Sequence, residues 1–225
     1  MSVTCFLPCR KGSERVPRKN IKPFGGNDFG LIEIKLKQLI ASKQINEIVL
    51  STNDDEILTY AQSLKNAKIR LHKRSEDLSA SSTSTDRLVK HALDLIPDSH
   101  ILWTHVTSPF INGEDYDYII EEYYLCLSKG YDSLMTTSII RSFLWDESGP
   151  INYDRVLEKW PRTQTLSPIH EVNSAIFLSH SKNYNSYNDR IGMKPKLHSL
   201  DKLKAFDIDW PEDFSIAECI SQLSS

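Results

Sequence analysis

Short apolar runs recur along this chain, and most are followed by a segment of helical periodicity. Residues 3–7 (VTCFL) and the IVL core of residues 46–52 are too short for helices and too apolar for a surface. A strand buried on both faces reads this way, and helices must then cover both faces of its sheet. Further strands are expected at 68–72, 100–104, 132–139, 173–178 and 204–209. Leu31, Ile34, Leu36, Leu39 and Ile40 mark a first helix, and Asn53, Asp54 and Asp55 cap a second that runs through Leu64. Helices follow over 86–96 and 114–128; Pro211 opens a last helical turn, and 217–223 closes the chain. The alternation predicts an α/β fold, a three-layer, doubly wound and mostly parallel sheet. Residues 140–172, punctuated by Gly149-Pro150, Trp160-Pro161 and Ser167-Pro168, lack regular signals. We read 1–225 as a single domain with 140–172 as an excursion from it.

Composition excludes several classes. No apolar stretch approaches the length of a membrane span, and the first residues lack the pattern of a secretion signal, so the expected location is the cytoplasm. Cys5, Cys9, Cys126 and Cys219 form no paired metal motif and read as buried or incidental thiols.

Charge is distributed unevenly. The chain is −3 overall, yet residues 8–22 carry Arg10, Lys11, Arg15, Arg18, Lys19 and Lys22 against the single acid Glu14, a net +5. This loop leaves the carboxyl end of the first strand, where open α/β sheets bind ligands. Gly12 and Ser13 let backbone N–H groups approach phosphate oxygens while Arg10, Arg15 and Lys19 supply charge and Asn20 a neutral hydrogen-bonding group. Neither a Walker loop nor a dinucleotide fingerprint is present. A solvated basic loop is the plainer reading. Nucleic acid is not an expected partner, because aromatic residues are not interleaved with the cations and the sequence pI is about 6.2.

Two further features carry chemistry. Asp207 and Asp209 lie two apart in an expected strand, so their carboxylates share a face while Phe206 and Ile208 turn to the core. Such a pair suits Mg²⁺, which takes one or two carboxylates plus phosphate oxygens. The alternative for Asp209 is to cap the helix that follows. Residues 79–85 hold six hydroxyl side chains in seven positions, which reads either as a polar linker or as a hydrogen-bonding rim before a helix.

The segment RKGSERVPRKN (10–20) resembles the R-x-G-S-K-x-[IV]-P-x-K-N signature of the CMP-sialic acid synthetases, the acylneuraminate cytidylyltransferases. IVLSTN (48–53), RSEDLSASSTS (74–84), THVTSP (104–109), NSAIF (173–177) and DIDWPED (207–213) resemble further elements of that family, in the same order. The resemblance implies a nucleotide-diphospho-sugar transferase-like fold. It also implies transfer of CMP from CTP to the anomeric hydroxyl of an acidic 2-keto sugar, with Mg²⁺ and release of pyrophosphate, for surface polysaccharide assembly. By resemblance Arg10, Gly12, Ser13, Arg15, Lys19 and Asn20 hold the triphosphate. Arg74, Ala80, Ser82 and Ser84 read the cytosine and ribose, and Asp207 and Asp209 hold the metal. Arg10, Lys19 and the two aspartates are the catalytic set, and His105, Thr107, Ser108, Arg162 and Asn173 form the sugar side. The excursion, with Phe143, Trp145 and Trp160, implies a homodimer.

Three positions depart from the pattern. Glu14 replaces the lysine after G-S, with Arg15 beside it; His105 replaces a glutamine; and HEVN (170–173) lacks the arginine that precedes the family's P-N-G-A. The last two belong to the sugar side, and an arginine fork is the natural partner of a sugar carboxylate. Arg162 and Arg141 are the substitutes visible in sequence. The acceptor is therefore read as another acidic sugar, legionaminate-like or pseudaminate-like. A 3-deoxy-manno-octulosonate cytidylyltransferase and a non-catalytic nucleotide-binding protein are the rival readings.

Overall fold

Six of the seven residues of β1 (Val3–Cys9) are buried, because the strand lies inside a parallel stretch of sheet with helices on both sides. Its side chains alternate: Val3, Cys5, Leu7 and Cys9 join one core cluster and Phe6 the other. The computed structural model describes residues 2–223. After β1 come α1 (Gly30–Ala41), β2 (Ile45–Thr52), α2 (Asp55–Ser63) and β3 (Ile69–Lys73). Then follow α3 (Thr85–Leu95), β4 (His100–Thr104), α4 (Gly113–Ser128) and β5 (Ser133–Ile140). A small hairpin of β6 (Trp145–Asp146) and β7 (Gly149–Pro150) precedes β8 (Ile169–His180), α5 (Ser181–Tyr187), β9 (Pro195–Ser199) and α6 (Pro211–Leu223).

The main sheet has the order β3-β2-β1-β4-β8-β5-β9. Every neighbouring pair is parallel except those made by β8, which runs antiparallel to both β4 and β5. Helices α1, α2, α4 and α6 cover one face and α3 and α5 the other, giving the expected three layers. The chain leaves β1 toward β2 on one side, while β4 occupies the other. The β1–β4 boundary is thus a topological switch point, where a crevice opens at the carboxyl ends.

Three expectations are corrected. Residues 204–209 form no strand. Asp201 Oδ1 accepts from the N–H groups of Leu203 and Lys204, which folds 201–206 into turns. Residues 207–209 then cross the carboxyl end of β4, with one ladder-like bond from Ile208 N–H to the Thr107 carbonyl at 2.9 Å. The sheet edge that a strand would have joined is already taken by β9, a polar segment not expected from sequence. Second, β8 begins at Ile169, so the irregular excursion ends before it rather than at residue 172. Third, α5 was not expected; its sequence, SKNYNSY, has no apolar stripe.

The excursion has order of its own. Phe143 and Trp160 meet edge-to-face with centroids 5.4 Å apart, and Trp145 stacks on Trp160 at 6.3 Å. Among the described residues no helix is long and apolar enough to cross a membrane.

Candidate active site

The basic loop is tethered rather than loose. Val16, Ile21 and Phe24 are buried plugs beneath it, and the Asn20 side-chain amide donates to the Arg10 carbonyl at 2.9 Å, tying its two ends together. At its exit Gly30 has φ +60°, and a Cβ there would lie 1.9 Å from the Lys22 carbonyl oxygen, so only glycine passes. The Ile32 N–H donates to the Asn20 carbonyl at 2.9 Å, clamping the loop to α1.

The loop forms one wall of a cleft of about 330 Å³ at the β1–β4 switch point. Five cations line it, Arg10, Arg15, Lys19, Arg74 and Arg190, against the single acid Glu14. Ser13, Asn20, His105 and Thr107 complete much of its polar surface. Such a surplus of positive charge in a concave site suits a polyanion such as a nucleoside triphosphate.

Each cation is held differently. Among the described residues the Arg10 side chain makes no ion pair and no hydrogen bond, so its charge faces the cleft uncompensated. Lys19 is buried; its Nζ donates to the Ile208 carbonyl at 2.6 Å and lies 3.6 Å from Asp209 Oδ1. Burial, opposed by Asp209 and Asp207, pulls the Lys19 pKa below the usual lysine value. Arg15 donates to Asp209 Oδ1 at 3.1 Å and lies over the Trp210 ring. Arg74 is buried, and its Nε donates to Ser79 Oγ at 3.1 Å.

Asp209 meets the basic loop directly through Arg15 and Lys19, and Asp207 lies near Lys19. An extended segment rather than the expected strand presents them, and neither carboxylate is part of the cleft lining itself. Ile208 between them is fully buried, and Asp207 and Asp209 are half-buried on either side of it. Burial raises the Asp207 pKa above the usual carboxylate value, against the lowering effect of a hydrogen bond from Thr107. Its Oδ1 is buried and makes no hydrogen bond. A buried carboxylate oxygen without a donor is costly unless something positive completes it. The pair therefore fits a divalent cation, although no cluster of three or more ligating side chains occurs among the described residues. Two carboxylates plus phosphate oxygens meet the need of Mg²⁺.

His105 has a defined protonation. The Trp103 indole N–H can only donate, and it points at His105 Nε2 at 2.7 Å. The ring is therefore neutral, with its hydrogen on Nδ1, and burial, with Arg190 nearby, pushes its pKa down to about 3. His91 and His100, on the sheet-facing side of α3 and at the start of β4, are likewise depressed to about 4, chiefly by burial. All three titrate near 6.5 when unfolded, so the unfolded chain takes up protons first as pH falls. Their contribution is complete well above pH 6.5 and is lost progressively as pH falls to about 4 for His91 and His100 and about 3 for His105. Thermal midpoints measured from about pH 7 down to about pH 5 should drop, and a flat profile would contradict this burial.

The remaining expected residues fall outside the cleft wall. Gly12, with φ +80°, sits exposed at the loop's tip. Ala80, Ser82 and Ser84 are exposed at the rim, where Ser84 caps α3. Ser108 and Asn173 are buried behind the wall; Asn173 Oδ1 accepts from Thr136 Oγ1 at 2.6 Å. Arg162 and Arg141 are exposed on the excursion side and do not line the cleft.

The sequence profile of the cytidylyltransferase family matches residues 4–224. This chain belongs to that family. Over 231 residues the cytidylyltransferase is 25% identical to the pseudaminic acid cytidylyltransferase of Campylobacter jejuni, covering 100% of this chain and 98% of that one. It is 27% identical to the CMP-N,N'-diacetyllegionaminic acid synthase of Legionella pneumophila, with the same coverages. A solved CMP:2-keto-3-deoxy-manno-octonic acid synthetase in complex with CTP shares the fold, with a TM-score of 0.67, 13% identity and full coverage of both chains. The structural neighbours are nucleotidyltransferases, which agrees with the α/β architecture read from the sequence.

Two residues of the cytidylyltransferase escaped the sequence reading. Lys35 is fully buried, and its Nζ donates to the Ser108 carbonyl at 2.7 Å and the Tyr116 hydroxyl at 2.8 Å. Burial pushes its pKa down to about 7, and it holds the turn after β4 in place from below. Its signal was present: a cation among Ile32, Leu36 and Leu39 on the buried side of α1. Arg190 carried no such signal.

Proposed function

We propose that this cytidylyltransferase transfers CMP from CTP to the anomeric hydroxyl of an acidic nine-carbon 2-keto sugar. The acceptor oxygen forms a bond to the α-phosphorus, the bond from that phosphorus to the bridging oxygen breaks, and pyrophosphate leaves as the hydroxyl proton is released. The observation that carries this reading is the closure of the basic loop onto residues 207–209 at a single mouth, through Lys19 and Arg15.

The uncompensated Arg10, with Lys19 and the backbone near Ser13, is suited to gather the β- and γ-phosphates and to stabilise the departing charge. Asp207 and Asp209 would hold Mg²⁺, which when bound neutralises phosphate charge and polarises the α-phosphoryl group. Arg74, kept in place by Ser79, faces the base side of the cleft beside Thr85 and Leu88. Neutral His105 can offer its Nδ1–H to the acceptor but no lone pair at Nε2, so it orients rather than deprotonates. The relatives named for pseudaminic and diacetyllegionaminic acid support a nonulosonate acceptor. The reaction would take place in the cytoplasm, and its products would feed surface polysaccharide assembly.

Pyrophosphate release tests the reading directly. With CTP and Mg²⁺, a panel of pseudaminate, N,N'-diacetyllegionaminate, N-acetylneuraminate and 3-deoxy-manno-octulosonate should give turnover with at least one of the nine-carbon acids. Turnover with the eight-carbon acid alone would favour the octulosonate reading. Tight CTP binding without turnover on any acid would favour a non-catalytic protein.

We also propose a homodimer joined through the excursion. Val156 is 93% exposed and Leu157 85%, beside the half-exposed Trp145 and Trp160. Exposed apolar side chains beside an ordered aromatic cluster are typical of an interface core. Analytical ultracentrifugation should show a dimer that Leu157→Asp converts to a monomer; a monomeric wild type would overturn this.

A further inference from the structure

Arg190 is the one cation of the cleft to which the sequence assigned no role. It follows α5, whose helical path is ended by Asn188 in the left-handed conformation, φ 52°. Its guanidinium lies 3.6 Å over the Phe177 ring of β8 and 5.3 Å from the Trp103 ring of β4. Two aromatic faces from adjacent strands thus fix the plane of the fork and dry one side of it. Among the described residues no carboxylate lies within ion-pair distance of it, although the group is half-buried. The neighbouring Asp189 acts on it only from beyond contact, and a partly desolvated guanidinium with no carboxylate in contact has room for an anionic partner.

Its surroundings limit which anion that is. Arg190 lines the cleft together with Trp103 and His105, and its charge acts on the His105 ring more strongly than that of Lys19. The Trp103 N–H that holds His105 neutral leaves a donor, Nδ1–H, next to the fork. Arg15 is committed to Asp209, Arg74 to Ser79, and the sequence candidates Arg141 and Arg162 lie outside the cleft. We infer that Arg190 receives the carboxylate of the acidic acceptor sugar, with His105 donating to a neighbouring oxygen, so that this wall sets acceptor specificity. The inference rests on the nucleotidyl-transfer reading above and names the group that replaces the arginine missing before Asn173.

The test pairs a variant with a modified substrate. Wild type is assayed with the acid of the panel it uses best and with that sugar's carboxamide, which keeps the shape and loses the charge. Wild type should prefer the acid by about 10- to 100-fold in kcat/KM, the range of a charge-assisted contact. Arg190→Gln should lose most of that preference through a raised KM for the acid, with KM for CTP unchanged. Arg190→Lys, which keeps the charge without the fork, should fall between the two and serves as the second variant if Arg190→Gln does not fold, as judged by its thermal midpoint. An acid preference in Arg190→Gln equal to wild type overturns the inference, as does a KM for CTP that rises in step with that for the acid. Absence of turnover by wild type on every acid overturns the nucleotidyl-transfer reading itself.

Discussion

Asp207→Asn lowers turnover by about 10³-fold while leaving the protein as stable as wild type or more so. The two parts of this outcome come from one fact. Burial raises the Asp207 pKa, and its Oδ1 has no hydrogen-bond partner. With the folded-state pKa above the unfolded value, the ionised carboxylate weakens the native state at neutral pH, and the neutral, isosteric amide removes that cost. If the carboxylate were only structural, its removal would lower stability with little effect on chemistry. A carboxylate retained at a cost to folding is the signature of a binding or catalytic position. Thermal midpoints and pyrophosphate-release rates, measured on the same preparation, distinguish the cases. A large drop in midpoint with near-normal turnover would contradict the account.

Lys19→Met and Arg10→Ala should separate in the opposite way. The Lys19 ammonium is buried, bonded to the Ile208 carbonyl at 2.6 Å and close to Asp209. Its removal leaves that carbonyl without its charged donor, at a cost of about 1–3 kcal/mol, and releases the 207–209 segment from the loop. Turnover should fall by about 10²- to 10³-fold because both the cation and the placement of the acid pair are lost. The Arg10 side chain makes no hydrogen bond or ion pair among the described residues, so Arg10→Ala should weaken CTP binding and turnover with little change in the unfolding midpoint. Equal stability losses in the two variants would show that Lys19 is not the stitch between loop and acid pair.

Much of this was legible in the chain itself, and what was hidden was hidden for physical reasons. The run at residues 3–7 could only be a central strand, and the Asp54 cap of α2 is as expected, its side chain accepting from the Glu56 N–H. The basic loop and the acid pair were visible as charge patterns, and their convergence was read from two strand ends and the family resemblance, although the second of those strands does not form. The supposed strand at 204–209 failed because alternation of apolar and acidic residues also describes an extended segment crossing the sheet's end. There Ile208 fills the core without joining a ladder. Strand β9 and helix α5 were missed because an edge strand and a short surface helix need little apolar periodicity. Arg190 was illegible because Phe177 and Trp103, on strands far apart in sequence, create its environment. Residues 79–85 were legible only in part. Ser79 is buried and anchors Arg74, which the reading of the run as either linker or base-facing rim did not single out.

The central claim is that the cationic loop and the paired aspartates act on one ligand, a metal-bound triphosphate. Crystals grown with CTP and Mn²⁺ test it most directly, because the anomalous signal of manganese locates the ion independently of the fitted chain. The account predicts a Mn²⁺ peak at the carboxylates of Asp207 and Asp209, with the β- and γ-phosphates against Arg10 and Lys19. A nucleotide bound elsewhere, or a peak away from both aspartates while CTP occupies the cleft, would contradict it.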